Sequence, residues 1–387
     1  MTSTKATPSA TESDRLFLHR TIELAARGSY STTPNPRVGC LVVRDGQVVG
    51  RGYHVRAGEG HAEVNALADA GQAVAGATVY VSLEPCAFHG RTPPCTQALI
   101  DAQVGRVVAA MIDPHPEVAG RGMALLRDAG IATQVIELPE ARTLNVGYVS
   151  RVTRGRPWVR LKTAVSLDGR SGMASGESQW ITGAAARADV QEWRARSCAV
   201  ISGSGTLLAD DARLSVRDQR FAVGGVLRQP LRVVADSKLQ LPASAATLAE
   251  PGDTLIVHAG INQPSIDGAE HLSLPQTSAL PQTSALPQMS AQNGGQPKVD
   301  LAALLDELGK RGCNEVLVEA GAGLLGAFIA ADLWDELLVY MAPKLLGSDG
   351  RPLARLPLAT MDQAVQGKIV DCVSVGDDLR IRLSRSS

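Results

Sequence analysis

Apolar and polar positions along this chain follow two periods, and the switches between them outline its elements. Leu18, Ile22, Ala25 and Ala26 recur at helical spacing, with Ser13 or Asp14 available as a cap and Gly28 as a stop. VGCLVV (38–43) and QVVGRGYH (47–54) flank Arg44-Asp45-Gly46, a hairpin signal. HAEVNALADAG (61–71) returns to the helical period and ends at Gly71. TVYVSL (78–83) reads as a buried strand and the stretch from Pro94 to Ala102 as a helix. RVVAAMI, ALLRDAG and IATQVIEL continue as strand, helix and strand. Such alternation predicts a three-layer α/β domain over 14–150, behind a polar, disordered tail over 1–13.

The basic stretch RVTRGRPW (151–158) reads as the joint to a second domain over 151–387. Its first strand is WVRLKTAVSLDG, followed by a helix capped by Thr182 and the strands CAVISG, LRVVADS and TLIVHAG. A helix over 301–311, the strand EVLVEA, a short helix and the strand ELLVYMAP come next. KIVDCVSVGDDLRIRLS closes the chain as a hairpin. A second α/β domain with a mostly parallel sheet is predicted. A low-complexity insertion at about 261–298 interrupts it. There LPQTSALPQTSALPQMSAQ (274–292) repeats a six-residue unit three times, and a proline in every unit supports neither helix nor strand. This stretch reads as a solvated surface insertion with no assigned function.

Length agrees with two domains, since 387 residues exceed what one hydrophobic core usually serves. Lys and Arg (38) nearly balance Asp and Glu (39), so nothing draws the chain generally to nucleic acid or anionic membrane. The start, MTSTKATPSATESD, lacks the apolar core of a signal peptide, and no apolar run reaches the roughly 20 residues a membrane span needs. Six cysteines in so long a chain do not make a disulfide framework; reduced thiols, and with them the cytoplasm, are expected.

Chemistry concentrates in two places. His61-Ala62-Glu63 followed by Pro85-Cys86 is the first part of a nucleobase-deaminase signature, H-x-E…P-C-x-x-C. One imidazole and two thiolates can hold Zn²⁺ and leave a position for water, whose pKa the metal lowers from about 16 toward ~7. Glu63 can take that water's proton and pass it to a leaving amine. The next cysteine, Cys95, stands nine residues beyond Cys86 instead of three. The spacing alone leaves a metal site and two unrelated buried thiols both open. In the second half, GAGLLG (321–326) satisfies G-x-G-x-x-G between a strand and a helix. A Rossmann unit would place an acidic residue at the end of the next strand, where Pro343-Lys344 stands instead. A helix N-terminus cradling phosphate in another fold is therefore the preferred reading.

The stretches NPRVGCLVVRDGQVVGRGYH, HAEVNAL, SLEPCAFHGRTPPC and DPHPEVAGRG resemble the deaminase half of the bifunctional riboflavin-biosynthesis deaminase/reductase (RibD) family. RLKTAVSLDGRSGMASGESQWITG, GSGTLLADDARLSVR, VEAGAGLLGAFI and APKLLG resemble its reductase half. The resemblance spans nearly the whole chain after the tail. It implies a cytidine-deaminase-like three-layer α/β/α domain followed by a dihydrofolate-reductase-like α/β domain. It also implies zinc and NADPH as cofactors, a pyrimidine ribose phosphate as substrate, and a homo-oligomer. The implied reaction removes an amine from 2,5-diamino-6-ribosylamino-4(3H)-pyrimidinone 5′-phosphate and then reduces its ribosyl side chain. Another deaminase substrate, or a binding protein with one inactive half, are the competing readings.

The resemblance carries roles to particular positions. In its light Cys86 and Cys95 join His61 as zinc ligands around the general base Glu63. Asn35, His54 and Arg91 match contacts to the substrate's ring, ribose or phosphate. The family's C-S-H-x-G reads Cys86-Ala87-Phe88-His89-Gly90 here, so Phe88 takes the histidine's place and His89 follows it. Either His89 supplies that contact from one position later or a neutral residue replaces it. In the reductase half, Asp210 and Lys162 match the catalytic pair. Ser178, Arg194, Leu214, Arg217 and Glu319 match substrate contacts. Thr163, Ala164, Trp180, Thr182, Asp236, Gly321 and Gly323 fall in segments lining the cofactor. Ala212 replaces a proline usual in the family, which loosens that loop without removing chemistry.

Overall fold

The computed structural model describes residues 11–88, 93–260, 265–275 and 298–385. The chain divides into two compact units, Met1–Gly155 and Arg156–Ser387. The first contains α1 (Glu12–Ala26), β1 (Gly39–Arg44), β2 (Gln47–Tyr53), α2 (Ala62–Ala70), β3 (Thr78–Val81), α3 (Cys95–Asp101), β4 (Arg106–Ala109), α4 (Arg121–Asp128), β5 (Ala132–Val135), α5 (Pro139–Leu144) and α6 (Val146–Arg154). Its sheet runs β2-β1-β3-β4-β5, with β1 antiparallel to β2 and β3, and β3, β4 and β5 parallel. One face carries Cys40, Val42, Val79, Val81 and Val107 under α2, α3 and α4. The other carries Leu41, Val43, Tyr80 and Val108 under α1, α5 and α6. Three layers follow from this alternation of side chains across the strands.

The β1–β2 turn is made by Asp45 (φ 51°) and Gly46 (φ 75°), a pair of left-handed residues suited to a two-residue hairpin. Further along β2, glycine matters for a different reason. A Cβ at Gly50 would lie 2.4 Å from the Ala66 carbonyl oxygen, and one at Gly52 would lie 2.3 Å from that of Ala62. The strand therefore lets the alanine face of α2 lie flush against it, which fixes the start of α2 where His61 and Glu63 stand.

Two expectations about this unit change. The cap of α1 is Thr11, whose hydroxyl accepts from the Asp14 amide while the Asp14 carboxylate accepts from the Thr11 amide. Asp14 is thus the third residue of a capping box, and the tail's last residues belong to the helix. Its carboxylate also takes both Arg106 η-nitrogens at 2.8 and 3.0 Å and the Tyr80 hydroxyl at 2.7 Å. The expected joint at 151–158 is partly helical, because α6 runs to Arg154 and ends on Gly155.

The second unit contains β6 (Trp158–Ser166), β7 (Arg170–Gly172), α7 (Ala184–Arg196), β8 (Ala199–Gly203), α8 (Ser204–Asp210), β9 (Leu231–Ala235), α9 (Ala246–Ala249), β10 (Thr254–His258) and β11 (Glu270–Ser273). It continues with α10 (Leu301–Lys310), β12 (Glu315–Glu319), α11 (Ala322–Ala330), β13 (Glu336–Ala342), β14 (Arg351–Pro352), β15 (Gly367–Val375) and β16 (Asp378–Arg385). Its main sheet has the order β11-β10-β9-β8-β12-β6-β13-β16-β15. The first seven of these strands are parallel, and β16 and β15 close the sheet antiparallel. Val159, Leu161, Val316 and Val318 point to a core shared with α10 and α11, while Leu317, Leu338 and Tyr340 point to one shared with α7. Burial on both faces explains why these strands read as nearly continuous apolar runs.

Here too the structure corrects details. The cap residue of α7 is Gly183 in place of Thr182. The Gly183 amide donates to the Asp378 carboxylate at 2.7 Å, so the acidic partner comes from β16, far along the chain. The insertion begins later than about 261: residues 270–273 form the edge strand β11, parallel to β10, and Leu272 packs on the core. Most of the LPQTSA repeat lies outside the described residues, as do residues 1–10 of the tail.

Candidate active sites of the two units

In the first unit, three elements aim donors at one point. His61 caps α2, Cys86 lies in the segment after β3, and Cys95 opens α3. Their ligand atoms all lie within 4.8 Å of one another. The His61 Nδ1 atom is 3.2 Å from the Cys95 sulfur and 3.6 Å from that of Cys86. Tetrahedral zinc with one nitrogen and two sulfurs separates N from S by about 3.6 Å, so the donor set and its spacing fit that ion. Both sulfurs face Nδ1, which identifies the ligating nitrogen. Despite the eight intervening residues, Cys95, at the head of α3, stands beside Cys86. There its amide donates to the Cys86 sulfur at 3.2 Å.

The electrostatics favour a thiolate at Cys86. The Cys95 thiol hydrogen-bonds to Cys86 and, with His61, brings the Cys86 thiol down to about 4 against the opposing effect of burial. The same bond to Cys86, together with burial, pushes the Cys95 thiol up. Glu63, in the first turn of α2, is 3% exposed. Burial, assisted by the charge on Cys86, raises its carboxyl to about 7. A buried carboxyl in that range can both take and return a proton near neutrality.

Around this centre His54 is buried, and its Nδ1 lies 3.1 Å from the Gly60 carbonyl oxygen. A carbonyl only accepts, so Nδ1 carries the hydrogen and Nε2 accepts from the Asn35 amide at 3.0 Å. Asn35 and His54 therefore come together as one unit beside His61, whose ring meets that of His54 edge-on at 5.2 Å. Arg91 and His89 lie outside the described residues; Phe88 is half exposed. Arg37 and Asp113, which lie in two of the family-like stretches, bond within the fold. Arg37 donates to the Leu144 carbonyl at 2.6 Å, and Asp113 accepts the Tyr148 hydroxyl at 3.0 Å. Sequence reasoning missed Glu84 in SLEPC. Its buried carboxylate accepts the amides of Asp113, Gly120, Gly122 and Met123, which moors the 113–123 segment beside Cys86. A buried acid next to Pro85-Cys86 was the available signal.

In the second unit, strand register builds the centre. Lys162 on β6 pairs in register with Glu319 on β12, so both side chains leave the same face and Nζ lies 4.0 Å from Oε2. Arg194 on α7 reaches Glu319 through Nε and Nη2, a two-pronged pair, and donates through Nη1 to the Ser215 carbonyl at 3.1 Å. Burial and the charge of Arg194 lower the Lys162 pKa against the pull of Glu319 and Asp210. Glu319 is held below the ordinary carboxylate range: burial raises it, but Arg194, Lys162 and Arg217 outweigh burial. Asp210 ends α8 and accepts from the Ser178 hydroxyl at 3.2 Å. Leu214 is buried in a left-handed conformation (φ 58°), and the Arg217 amide donates to Gln191 at 2.8 Å. Lys162, Glu319, Arg194, Asp210, Ser178 and Arg217 thus gather. Arg194, expected to contact substrate, is engaged by Glu319.

The residues expected to line a cofactor divide between two faces. Ala164 shares the face of Lys162; Thr163 points to the opposite one with α11. Gly321 caps α11, and its amide donates to the Thr206 hydroxyl at 3.1 Å, a link across to α8 that the sequence did not reveal. A Cβ at Gly323 would meet nothing within 4 Å, which leaves room over the head of α11. Asp236 accepts the Leu241 amide through Oδ2, and its buried Oδ1 has no partner among the described residues. Open space at a helix N-terminus and an orphaned acceptor fit a dinucleotide with phosphates and sugar hydroxyls. Trp180 is 62% exposed under the guanidinium of Arg187, and the Thr182 carbonyl accepts from Arg187 at 2.7 Å.

Comparison with known proteins agrees with this division. Residues 157–380 match the family model described as the RibD C-terminal domain. Residues 11–111 match the cytidine and deoxycytidylate deaminase zinc-binding region. The riboflavin biosynthesis protein RibD of Escherichia coli (strain K12) is 45% identical over 382 residues, covering 96% of this chain and 99% of that protein. Its namesake from Haemophilus influenzae is 44% identical, covering 95% and 96%. Among solved structures, Acinetobacter baumannii RibD, form 1, gives a TM-score of 0.87 at 42% identity over 97% of this chain and 99% of that one. A diaminohydroxyphosphoribosylaminopyrimidine deaminase/5-amino-6-(5-phosphoribosylamino)uracil reductase from Thermotoga maritima gives 0.82 at 29% identity, covering 97% and 99%.

Proposed function

This chain belongs to the RibD family of bifunctional riboflavin-biosynthesis enzymes, and from that premise we propose how its residues share the work. It joins a zinc-binding deaminase to an NADPH-dependent reductase. In the proposal the first unit deaminates 2,5-diamino-6-ribosylamino-4(3H)-pyrimidinone 5′-phosphate. The second reduces the ribosyl side chain, yielding 5-amino-6-ribitylamino-uracil 5′-phosphate. The reaction for which the Thermotoga protein is named supports this choice of substrate.

His61, Cys86 and Cys95 are the residues that would hold zinc, which when bound activates a water for attack on the amine-bearing ring carbon. Glu63 Oε takes a proton from the attacking water and returns it to the departing amine, so that water enters and ammonia leaves in balance. The Asn35–His54 pair orients the pyrimidine, and Arg91 completes the substrate contacts. In the second unit NADPH, when bound, supplies the hydride to C1 of the opened sugar. Lys162 Nζ or the Asp210 carboxyl provides the accompanying proton. Ser178, Arg194, Leu214, Arg217 and Glu319 hold the ribose phosphate. Thr163, Ala164, Trp180, Thr182, Asp236, Gly321 and Gly323 hold the cofactor. The cytoplasm is the proposed compartment, supported by free cysteines throughout the described fold, and an assembly of identical copies the proposed state.

The observation that carries the reading is the convergence of His61, Cys86 and Cys95 beside a buried Glu63. A coupled assay with the diaminopyrimidine phosphate, with and without NADPH, tests it. Deamination should proceed without NADPH, and Glu63→Gln should slow it by about 10²–10⁴-fold. Full-rate deamination by that variant would sink the mechanism.

A further inference from the structure

Two sequence stretches in the reductase unit remain without a task in the mechanism: Ser166-Leu167-Asp168-Gly169 at the end of β6, and Pro343-Lys344-Leu345-Leu346-Gly347 after β13. β6 and β13 are parallel neighbours, so both stretches emerge at the same carboxyl edge of the sheet. There they are fastened together. The Asp168 carboxylate accepts the amides of Leu346 (3.1 Å) and Gly347 (2.8 Å) and the hydroxyl of Ser166, and the Leu167 amide donates to the Lys344 carbonyl at 2.8 Å. A single carboxylate thereby sets the course of the 343–347 loop.

The fastened loop points one side chain at the reductase site. Lys344 Nζ donates to the Trp180 carbonyl at 2.8 Å. Trp180 stands two residues after Ser178, whose hydroxyl binds Asp210. Its indole is covered by the Arg187 guanidinium at 4.4 Å, and Arg187 is in turn tied to the Thr182 carbonyl. The backbone of residue 180 is therefore held from one side by Lys344 and its ring from another by Arg187, while most of the side chain stays open to solvent. An exposed, braced indole is a platform for a planar heteroaromatic ring.

We infer that Lys344, on a loop latched by Asp168, is a positioning residue that sets Trp180 for the nicotinamide cofactor. The inference rests on the reading that Trp180 lines the cofactor site. In this role Lys344 acts through the Trp180 carbonyl. The bond it makes is exposed and charge-assisted, so its loss changes affinity several-fold and leaves the chemistry intact.

Calorimetric titration of NADPH into the full-length protein tests this. Lys344→Met should weaken NADPH binding about fivefold, the scale of one such hydrogen bond. Lys344→Arg, which keeps a charged donor, should restore affinity to within about twofold, and Asp168→Ala should weaken binding at least as much as Lys344→Met. Turnover of Lys344→Met at saturating NADPH should stay within about twofold of the parent, with deamination unchanged. Parental NADPH affinity in Lys344→Met overturns the inference, as does a loss that arginine fails to rescue. Trp180→Ala separates the two levels. If it binds NADPH as the parent does, the underlying cofactor-site reading fails; if it binds weakly while Lys344→Met does not, only the positioning role fails.

Discussion

The two units solve the same problem, holding reactive groups close together, by opposite means. In the deaminase unit the donors sit at the starts of α2 and α3 and in the segment after β3, and the ligand atoms of His61, Cys86 and Cys95 all lie within 4.8 Å of one another. In the reductase unit the charges neutralise each other inside the site: Glu319 binds Arg194 by two contacts and sits 4.0 Å from Lys162. The first site gathers donors of the kind that bind a cation together. The second is a circuit of opposite charges that already engage one another.

The largest expected effect breaks the first arrangement alone. Cys95→Ala should strip zinc from the purified protein and lower deamination by at least about 100-fold. Elemental analysis checks the metal, and NADPH oxidation with already deaminated substrate should persist. The second prediction attacks the circuit of charges. Glu319→Gln leaves the buried Arg194 without its countercharge, and about 3 kcal/mol of stability should be lost from the reductase unit, read by denaturant unfolding. If the variant is as stable as the parent, the Arg194–Glu319 pair is dispensable to the fold.

The smallest effect concerns a paired carboxylate far from chemistry. Burial raises the Asp14 carboxyl, but Arg106, the Thr11 amide and Tyr80 outweigh it and hold the group well below its ordinary value. A carboxyl depressed in the folded state stabilises at pH above its unfolded value, near 4, and that contribution fades as pH falls below it. Asp14→Ala should therefore cost roughly 2 kcal/mol at pH 7, and parent and variant should draw together on acidification toward pH 2, as followed by thermal unfolding.

The sequence made the first site more legible than the second, for a physical reason. His61, Glu63, Cys86 and Cys95 are chemically distinctive and lie within 35 positions of one another, so their types alone narrow the chemistry. Lys162 and Glu319 are 157 positions apart and meet only because β6 and β12 pair in one particular register, which no local pattern encodes. The elements themselves followed periodicity closely, since α2, β3 and the strands of the parallel sheet have strong apolar patterns. Caps were less readable: Gly183 relies on Asp378, nearly 200 positions away. Edge strand β11 was taken into the insertion because Glu270, His271 and Ser273 show little apolar alternation around Leu272.

One further feature lies at that edge. Pro275 and Val299 form a bridge, and the Asp300 amide donates to the Leu274 carbonyl at 2.8 Å. The fold thus clasps the chain on either side of the repeat-bearing stretch, so the space between is already closed whatever its length. Lengthening a closed stretch costs little, about 0.6 kcal/mol per doubling. The clasp therefore marks an address on the molecule: a place where an affinity handle or a fluorescent reporter can be spliced in at little cost to the fold of the reductase unit.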